Sequence, residues 1–156
     1  MLSTERLVLR PWRVSDAAVH RELWLERDPR VPPHRRIDAD GNPTVDELAD
    51  RIRTGSTRLL VVELAGSGEM IGYCGLIDLP ERTELAYELL RRHWGQGYAT
   101  EAARAVLETA TERRITAGVR AWNTASLRVL EKLGFTPESV DPDPEHGDSV
   151  LLVLER

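Results

Sequence analysis

The sequence of 156 residues contains a single cysteine, Cys74. One thiol excludes a disulfide framework and a cysteine metal site, and such scarcity is what a reducing cytoplasm leaves. Long apolar runs are missing as well. A stretch such as Leu59 to Val62 is strand-sized, far short of the roughly 20 residues a membrane helix needs. Glu5, Arg6 and Arg10 follow closely on Met1, so no signal peptide is expected and the expected location is cytoplasmic. Positive charge is in deficit, with 21 Lys plus Arg against 26 Asp plus Glu and a net charge of −5, which argues against general nucleic-acid binding. There is no repeat, low-complexity tract or linker, and the length suits one buried core. A single domain over residues 1–156 is the expectation.

The charge that is present is unevenly placed. Leu89 to Pro137 holds eight basic and four acidic residues, whereas Glu138 to Asp148 holds five acids and no base. Those acids, with Asp38, Asp40 and Asp46, suit attraction of a cationic amine; solvated faces are the plainer reading of both segments. Twenty of the 21 basic residues are arginine, read as genomic base composition.

Thr4 to Arg10 alternates as a first strand, ended by Pro11. Ser15 is placed to cap a helix to about Arg27, and Asp28 to Asn42 reads as a mobile loop. Thr44 with Glu47 forms a capping box for a short helix stopped by Gly55. Arg58 to Leu64 and Glu69 to Leu79 read as strands joined by a hairpin at Ala65 to Gly68, and Thr83 to Leu90 as a further strand. From Tyr98 the period changes: Ala99, Ala102, Ala103, Val106, Leu107 and Ala110 share one helical face. Arg114 to Trp122 is expected as a strand. A helix capped by Asn123 or Thr124 and stopped by Gly134 comes next, then strands at Phe135 to Val140 and Ser149 to Leu154. The pattern is α+β.

The strand, Gly95-Gln96-Gly97, helix junction is the most informative. Glycines there let backbone N–H groups reach a ligand, and the helix start adds its dipole, so a phosphate or pyrophosphate fits. It is no dinucleotide fingerprint, because Thr100 replaces the third glycine, and no P-loop, because Gly-Lys-Ser/Thr is missing. A tight strand-to-helix turn is the competing reading.

Glu84-Leu-Ala-Tyr-Glu-Leu-Leu-Arg-Arg-His-Trp-Gly-Gln-Gly-Tyr-Ala-Thr-Glu-Ala102 and Asn123-Thr-Ala-Ser-Leu-Arg-Val-Leu-Glu-Lys-Leu-Gly-Phe135 resemble the GCN5-related N-acetyltransferases (GNAT). With the opening Thr4-Glu-Arg-Leu-Val-Leu-Arg-Pro-Trp12, the chain is similar to the branch of the ribosomal-protein N-terminal alanine acetyltransferases. The resemblance implies a central, mostly antiparallel mixed sheet, splayed at the fourth strand, with flanking helices. It also implies acetyl-CoA as co-substrate, no metal, and an acceptor amine that is a small molecule or a protein N-terminus. No nucleic-acid or membrane partner is expected, and the chain is expected as a monomer or homodimer.

Position by position, the family signature R/Q-x-x-G-x-G/A falls on Trp94 to Ala99, with Trp94 departing from it. The resemblance assigns coenzyme A pyrophosphate binding to the backbone of Gly95, Gln96, Gly97, Tyr98, Ala99 and Thr100. It assigns pantetheine binding to the main chain of Leu89, with Tyr87 and Glu88. Asn123 is implied beside the cofactor and also reads as a helix N-cap. The position of the family's thiol-protonating tyrosine is Leu130, so Ser126 becomes the candidate acid and cofactor contact, with a first-turn serine as the plainer role. Direct attack by a neutral amine needs a base, for which Glu84 is preferred over a plain surface carboxylate. Acid help is less needed, because a thiol of pKa about 8.5 leaves readily.

Cys74, in an apolar run, reads as a core thiol and excludes covalent catalysis. His20, His34, His93 and His146 show no metal-ligand spacing and read as solvated or capping residues. Two rivals stay open: a coenzyme A binding protein of the same fold without transfer, and a phosphate-loop nucleotide binder.

Overall fold

Alternating and helical periods resolve, in the computed structural model of residues 1–156, into eight strands and four α-helices. The first half runs β1 (Leu2–Ser3), β2 (Leu7–Arg10), α1 (Ala17–Glu26), α2 (Val45–Thr54), β3 (Arg58–Leu64), β4 (Met70–Leu79) and β5 (Arg82–Leu89). The second runs α3 (Tyr98–Thr109), β6 (Arg114–Arg120), α4 (Thr124–Lys132), β7 (Thr136–Asp141) and β8 (Ser149–Glu155). All eight strands form one sheet in the order β1-β2-β3-β4-β5-β6-β8-β7, antiparallel except where β5 meets β6. The expected order of elements holds, with β1 added, so the strand ending at Leu89 is the fifth. No helix is long and apolar enough to cross a membrane.

Two of the four helices begin on side-chain caps. Thr44 Oγ1 accepts from Glu47 N–H while the Glu47 carboxylate accepts from Thr44 N–H, each at 3.1 Å, so the capping box opens α2 as expected. Asn123 Oδ1 accepts from Ser126 N–H at 3.3 Å and opens α4. Ser15 does not cap α1. It lies in a 3₁₀ turn over Val14–Asp16, and the Asp16 carboxylate takes the Arg13 N–H at 2.7 Å. Asp16 is the N-cap residue of α1, but its carboxylate is held by the buried Arg10 guanidinium through two bonds of 2.9 Å and makes no cap bond to the helix. Glu63 holds the same guanidinium at 2.7 Å. Burial alone would raise the Asp16 pKa, but the Arg10 and Arg13 donors outweigh it and hold it below the ordinary carboxylate value.

The larger core lies between the sheet and helices α3 and α4. Leu7, Leu9, Val62, Leu85, Ile115 and Leu130 pack there against Ala102, Ala103 and Val106 of α3. At about 25 cal/mol per Å², burying each large aliphatic side chain is worth about 2 kcal/mol. A smaller cluster of Leu23, Val61, Met70 and Leu90 anchors α1 on the opposite side, with Trp12, Val19 and Tyr73 packed against it. The loop between α1 and α2, read from sequence as mobile, is tied down: Arg21 donates to the Gly41 and Pro43 carbonyls and Arg27 to that of Arg35.

His20 corrects the reading of a solvated histidine. Its ring sits 4.9 Å from that of Trp12 and 6.0 Å from that of Tyr73, and Nδ1 has no partner. Burial, with the nearby charges of Arg27 and Arg51, pulls its pKa down to about 4. An unfolded histidine titrates near 6.5, so the folded state resists a proton that the unfolded state accepts. Its contribution to stability is complete above pH about 6.5 and is lost as pH falls towards 4. Denaturant melts at pH 7 and pH 4.5 should show wild type losing on the order of 2 kcal/mol more than His20→Gln across that interval.

Candidate active site

At β5 the sheet stops being continuous. β5 pairs with β4 along its whole length, from Arg82 against Leu79 to Leu89 against Gly72, but shares with β6 the single register pair Glu84–Thr116. Beyond Glu84 the two parallel strands part. Leu90 N–H donates to the Ile71 carbonyl at 2.8 Å, so by two-residue alternation Glu88 and Ala86 also turn their backbone to β4. Tyr87 and Leu89 therefore turn theirs into the gap. Glu88, expected beside them, directs its main chain to β4 and its carboxylate to Arg27 at 3.0 Å. Of the groups in the gap, the Leu89 carbonyl is occupied by Trp94 Nε1 at 2.8 Å. The close approach of β4 to the end of β5 requires Gly72, where a Cβ would lie 2.0 Å from the Glu88 carbonyl oxygen.

The strand-to-helix turn follows at once. Gly95 and Gly97 hold φ of 74° and 82°, the left-handed region that glycine adopts without strain. No intramolecular acceptor takes any N–H from Gly95 through Thr100, including those of Gln96, Tyr98 and Ala99. These donors and the start of α3 form a ready anion site. Arg6 braces the turn: Nη1 donates to the Gln96 carbonyl at 2.9 Å, Nε binds Glu101 at 2.9 Å, and the guanidinium lies 4.4 Å from the Tyr98 ring centroid. Thr4 Oγ1 donates to Glu101 at 2.7 Å and completes the brace.

On the α3 and α4 side of β5, the Tyr87 hydroxyl lies 2.8 Å from Ser126 Oγ. Burial pushes the Tyr87 pKa up to about 12, with the Ser126 hydrogen bond opposing it. The sequence reading gave Tyr87 a main-chain role and missed this hydroxyl. Asn123 sits at the same helix end. Leu130 is fully buried in the core. So is Cys74, whose thiol burial pushes up to about 12; it offers no thiolate for covalent chemistry.

Glu84 lies on the other side of β5, facing a cleft of about 390 Å³. Arg82 Nε contacts its carboxylate at 3.2 Å, and Gly118 on β6 gives it room: a Cβ there would stand 3.4 Å from Glu84 Oε1. Arg35, Arg120 and Asp141 also line the cleft. His146 is not among the cleft residues; its carbonyl accepts from Trp122 Nε1 at 2.8 Å. The structure thus gathers the glycine turn, Tyr87, Leu89, Asn123 and Ser126 on one side of the gap and leaves Glu84 on the other. No group of three or more His, Cys, Asp or Glu side chains is placed to hold a metal ion.

A splayed parallel junction thus lies beside a glycine turn with free N–H groups, as the sequence resemblance implies. A family model described as the acetyltransferase (GNAT) domain matches residues 6–136. The chain belongs to the GNAT acetyltransferase family. An uncharacterized N-acetyltransferase p20 of Bacillus licheniformis is 31% identical over 163 residues, covering 97% of this chain and 90% of that one. Among solved structures, a GNAT-family acetyltransferase from Bacillus anthracis superposes with a TM-score of 0.80 at 22% identity, covering 99% and 97% of the two chains. Spermidine N-acetyltransferase SpeG from Vibrio cholerae, as an N152L mutant, superposes with a TM-score of 0.75 at 20% identity, covering 97% and 95%. This acetyltransferase therefore shares the GNAT sheet, and the expected α+β class with its splay at the strand ending at Leu89 holds.

Proposed function

We propose that this protein, as one cytoplasmic domain over residues 1–156, transfers the acetyl group of acetyl-CoA to a primary amine by direct attack on the thioester. The observation that carries this reading is the gap beyond Glu84. The Tyr87–Ser126 pair and the turn with the free N–H groups of Gly95 to Thr100 lie towards one face of the sheet at this gap, and Glu84 with its cleft lies on the other. The donor set fits coenzyme A: consecutive N–H groups suit a pyrophosphate, and the unpaired main-chain groups of Tyr87 with the Leu89 N–H suit an amide-bearing arm. Acetyl-CoA would supply an acyl group activated on a thiol.

The chain's own groups then divide the work. Glu84 accepts, directly or through water, the proton that the amine loses as its nitrogen bonds to the acyl carbon. A main-chain N–H at Tyr87 or Leu89 steadies the charge growing on the acyl oxygen. When the carbon–sulfur bond breaks, the proton for the departing thiolate would come from the Ser126 hydroxyl, which would be resupplied by the Tyr87 hydroxyl 2.8 Å away or by water, while Asn123 fixes the start of α4. A panel of primary amines with acetyl-CoA, read by release of free thiol, tests this. Turnover with at least one amine is expected. Thermal stabilisation by coenzyme A without thiol release from any amine would instead make the protein a coenzyme A binder. Stabilisation by ATP or NAD and not by coenzyme A would make the turn a nucleotide site.

A further inference from the structure

The acceptor cleft differs in charge from what the acidic segment promised. Most acids of Glu138 to Asp148 are occupied elsewhere: Glu138 binds Arg114 at 2.6 Å, Asp143 binds Arg120 at 2.9 Å, and Asp148 accepts the Asp143 N–H at 3.2 Å. Asp38 is spent on the backbone of its own loop, accepting from Asp40 and Asn42, each at 2.9 Å. Of the acids in those two segments, only Asp141 lines the cleft, joined there by Glu84 of β5.

Three arginines face these two carboxylates. Arg82 commits Nε to Glu84. Arg120 commits Nη1 to Asp143 and to the Gly147 carbonyl, which leaves Nε and Nη2 without partners. Arg35, at the end of the 3₁₀ turn Pro33–Arg35, makes no ion pair and no hydrogen bond through its guanidinium. Guanidinium groups with unused donors in a concave site are matched by a planar carboxylate, which they bind through paired N–H donors. A polyamine would instead bring several positive charges among three guanidiniums with one uncommitted carboxylate to meet them.

We infer that the acceptor is a small amine carrying its own carboxylate, an amino acid in the simplest case, with Arg35 and Arg120 binding the carboxylate while Glu84 faces the amine. This rests on the acetyl-transfer reading above. The cleft volume of about 390 Å³ is of the size that holds one small molecule. Arg35 and Arg120 come from the α1–α2 loop and the end of β6 and line the same cleft as Glu84.

The test compares kcat/KM for free amino acids (glycine, alanine, glutamate, methionine), for their carboxamides, and for spermidine, with wild type and with Arg35→Gln. Wild type is expected to prefer each amino acid over its carboxamide by at least about tenfold. Arg35→Gln is expected to erase most of that preference through KM, and Arg35→Lys to restore part of it. Carboxamides or spermidine serving as well as amino acids would overturn the inference and leave acetyl transfer standing. So would a preference that survives intact in Arg35→Gln, or phosphoethanolamine outperforming every carboxylate. No thiol release from any acceptor, with coenzyme A still stabilising the fold, would overturn the transfer reading and this inference with it.

Discussion

Replacing Glu84 by Gln is expected to lower kcat/KM for acetyl transfer by about 10²–10⁴, the span a positioned general base contributes. Glutamine has the same shape, and its amide oxygen keeps an acceptor for Arg82 Nε, which now lies 3.2 Å from the carboxylate. What is lost is the negative charge and, with it, the ability to take a proton. The deficit should therefore shrink as pH rises, because at higher pH a growing share of the acceptor arrives already deprotonated. Rates measured from pH 6.5 to 9.5, with coenzyme A stabilisation of the fold as the control for binding, decide the matter. A variant within threefold of wild type throughout that range means Glu84 is a surface carboxylate and not the base.

The second large effect belongs to the glycine turn. Gly97→Glu should weaken coenzyme A binding by at least about 10², on the order of 2.7 kcal/mol. Two causes act together. Gly97 sits at φ 82°, where a side chain costs about 1–2 kcal/mol of backbone strain. The new carboxylate would also stand where the dipole of α3 and the unpartnered N–H groups favour a phosphate, adding like-charge repulsion. Its Cβ would start 3.4 Å from Arg6 Nη2, close enough to draw Arg6 away from the Gln96 carbonyl. Gly97→Asn separates the causes, since asparagine tolerates left-handed backbone and carries no charge; it should lose far less. Calorimetric titration with coenzyme A, beside a thermal melt of each apoprotein, gives both numbers. Wild-type affinity in a folded Gly97→Glu protein would move the pyrophosphate to another part of the chain.

What was legible in the sequence was local. The Thr44 and Glu47 capping box, the Asn123 cap and the apolar face of α3 each depend on residues within a few turns, and each formed as expected. The glycine turn was legible because positive φ leaves few residue types to choose from. What escaped depends on partners that no helical or strand period points to, some of them near in the chain and some far along it. Leu2–Ser3 is too short to show a period and is a strand only because β2 lies beside it. Ser15 looked like the cap of α1, but Asp16 is drawn in by Arg10 and Glu63 forms a further side of the same cluster. The Arg6 brace on the Gln96 carbonyl spans 90 residues, and no spacing rule announces it.

The same limit governed the site. Counting acids in Glu138 to Asp148 gave their number and not their partners, so arginines that neutralise two of them, from β6, were invisible. The Tyr87 hydroxyl escaped because its meeting with Ser126 joins a strand to a helix 39 residues later. A tyrosine missing from α4 and a hydroxyl supplied from β5 can be recognised as related only once both are placed in space.

The lone register pair between β5 and β6 has a bearing on how the protein behaves without its ligand. β5 is fifth of eight strands, yet its last residues carry the liability of an outermost one: the main-chain groups of Tyr87 and the Leu89 amide face no neighbouring strand, and only the Leu89 carbonyl is met, by the Trp94 side chain. They are sheltered by depth in the sheet and not by pairing. Extended chains long enough to slip into the opening would find a template there, which makes a filled cleft a guard against self-association. A pantetheine arm lying in the opening would then close an internal seam, and amide exchange at Tyr87 and Leu89 would report how much of the time that seam is shut.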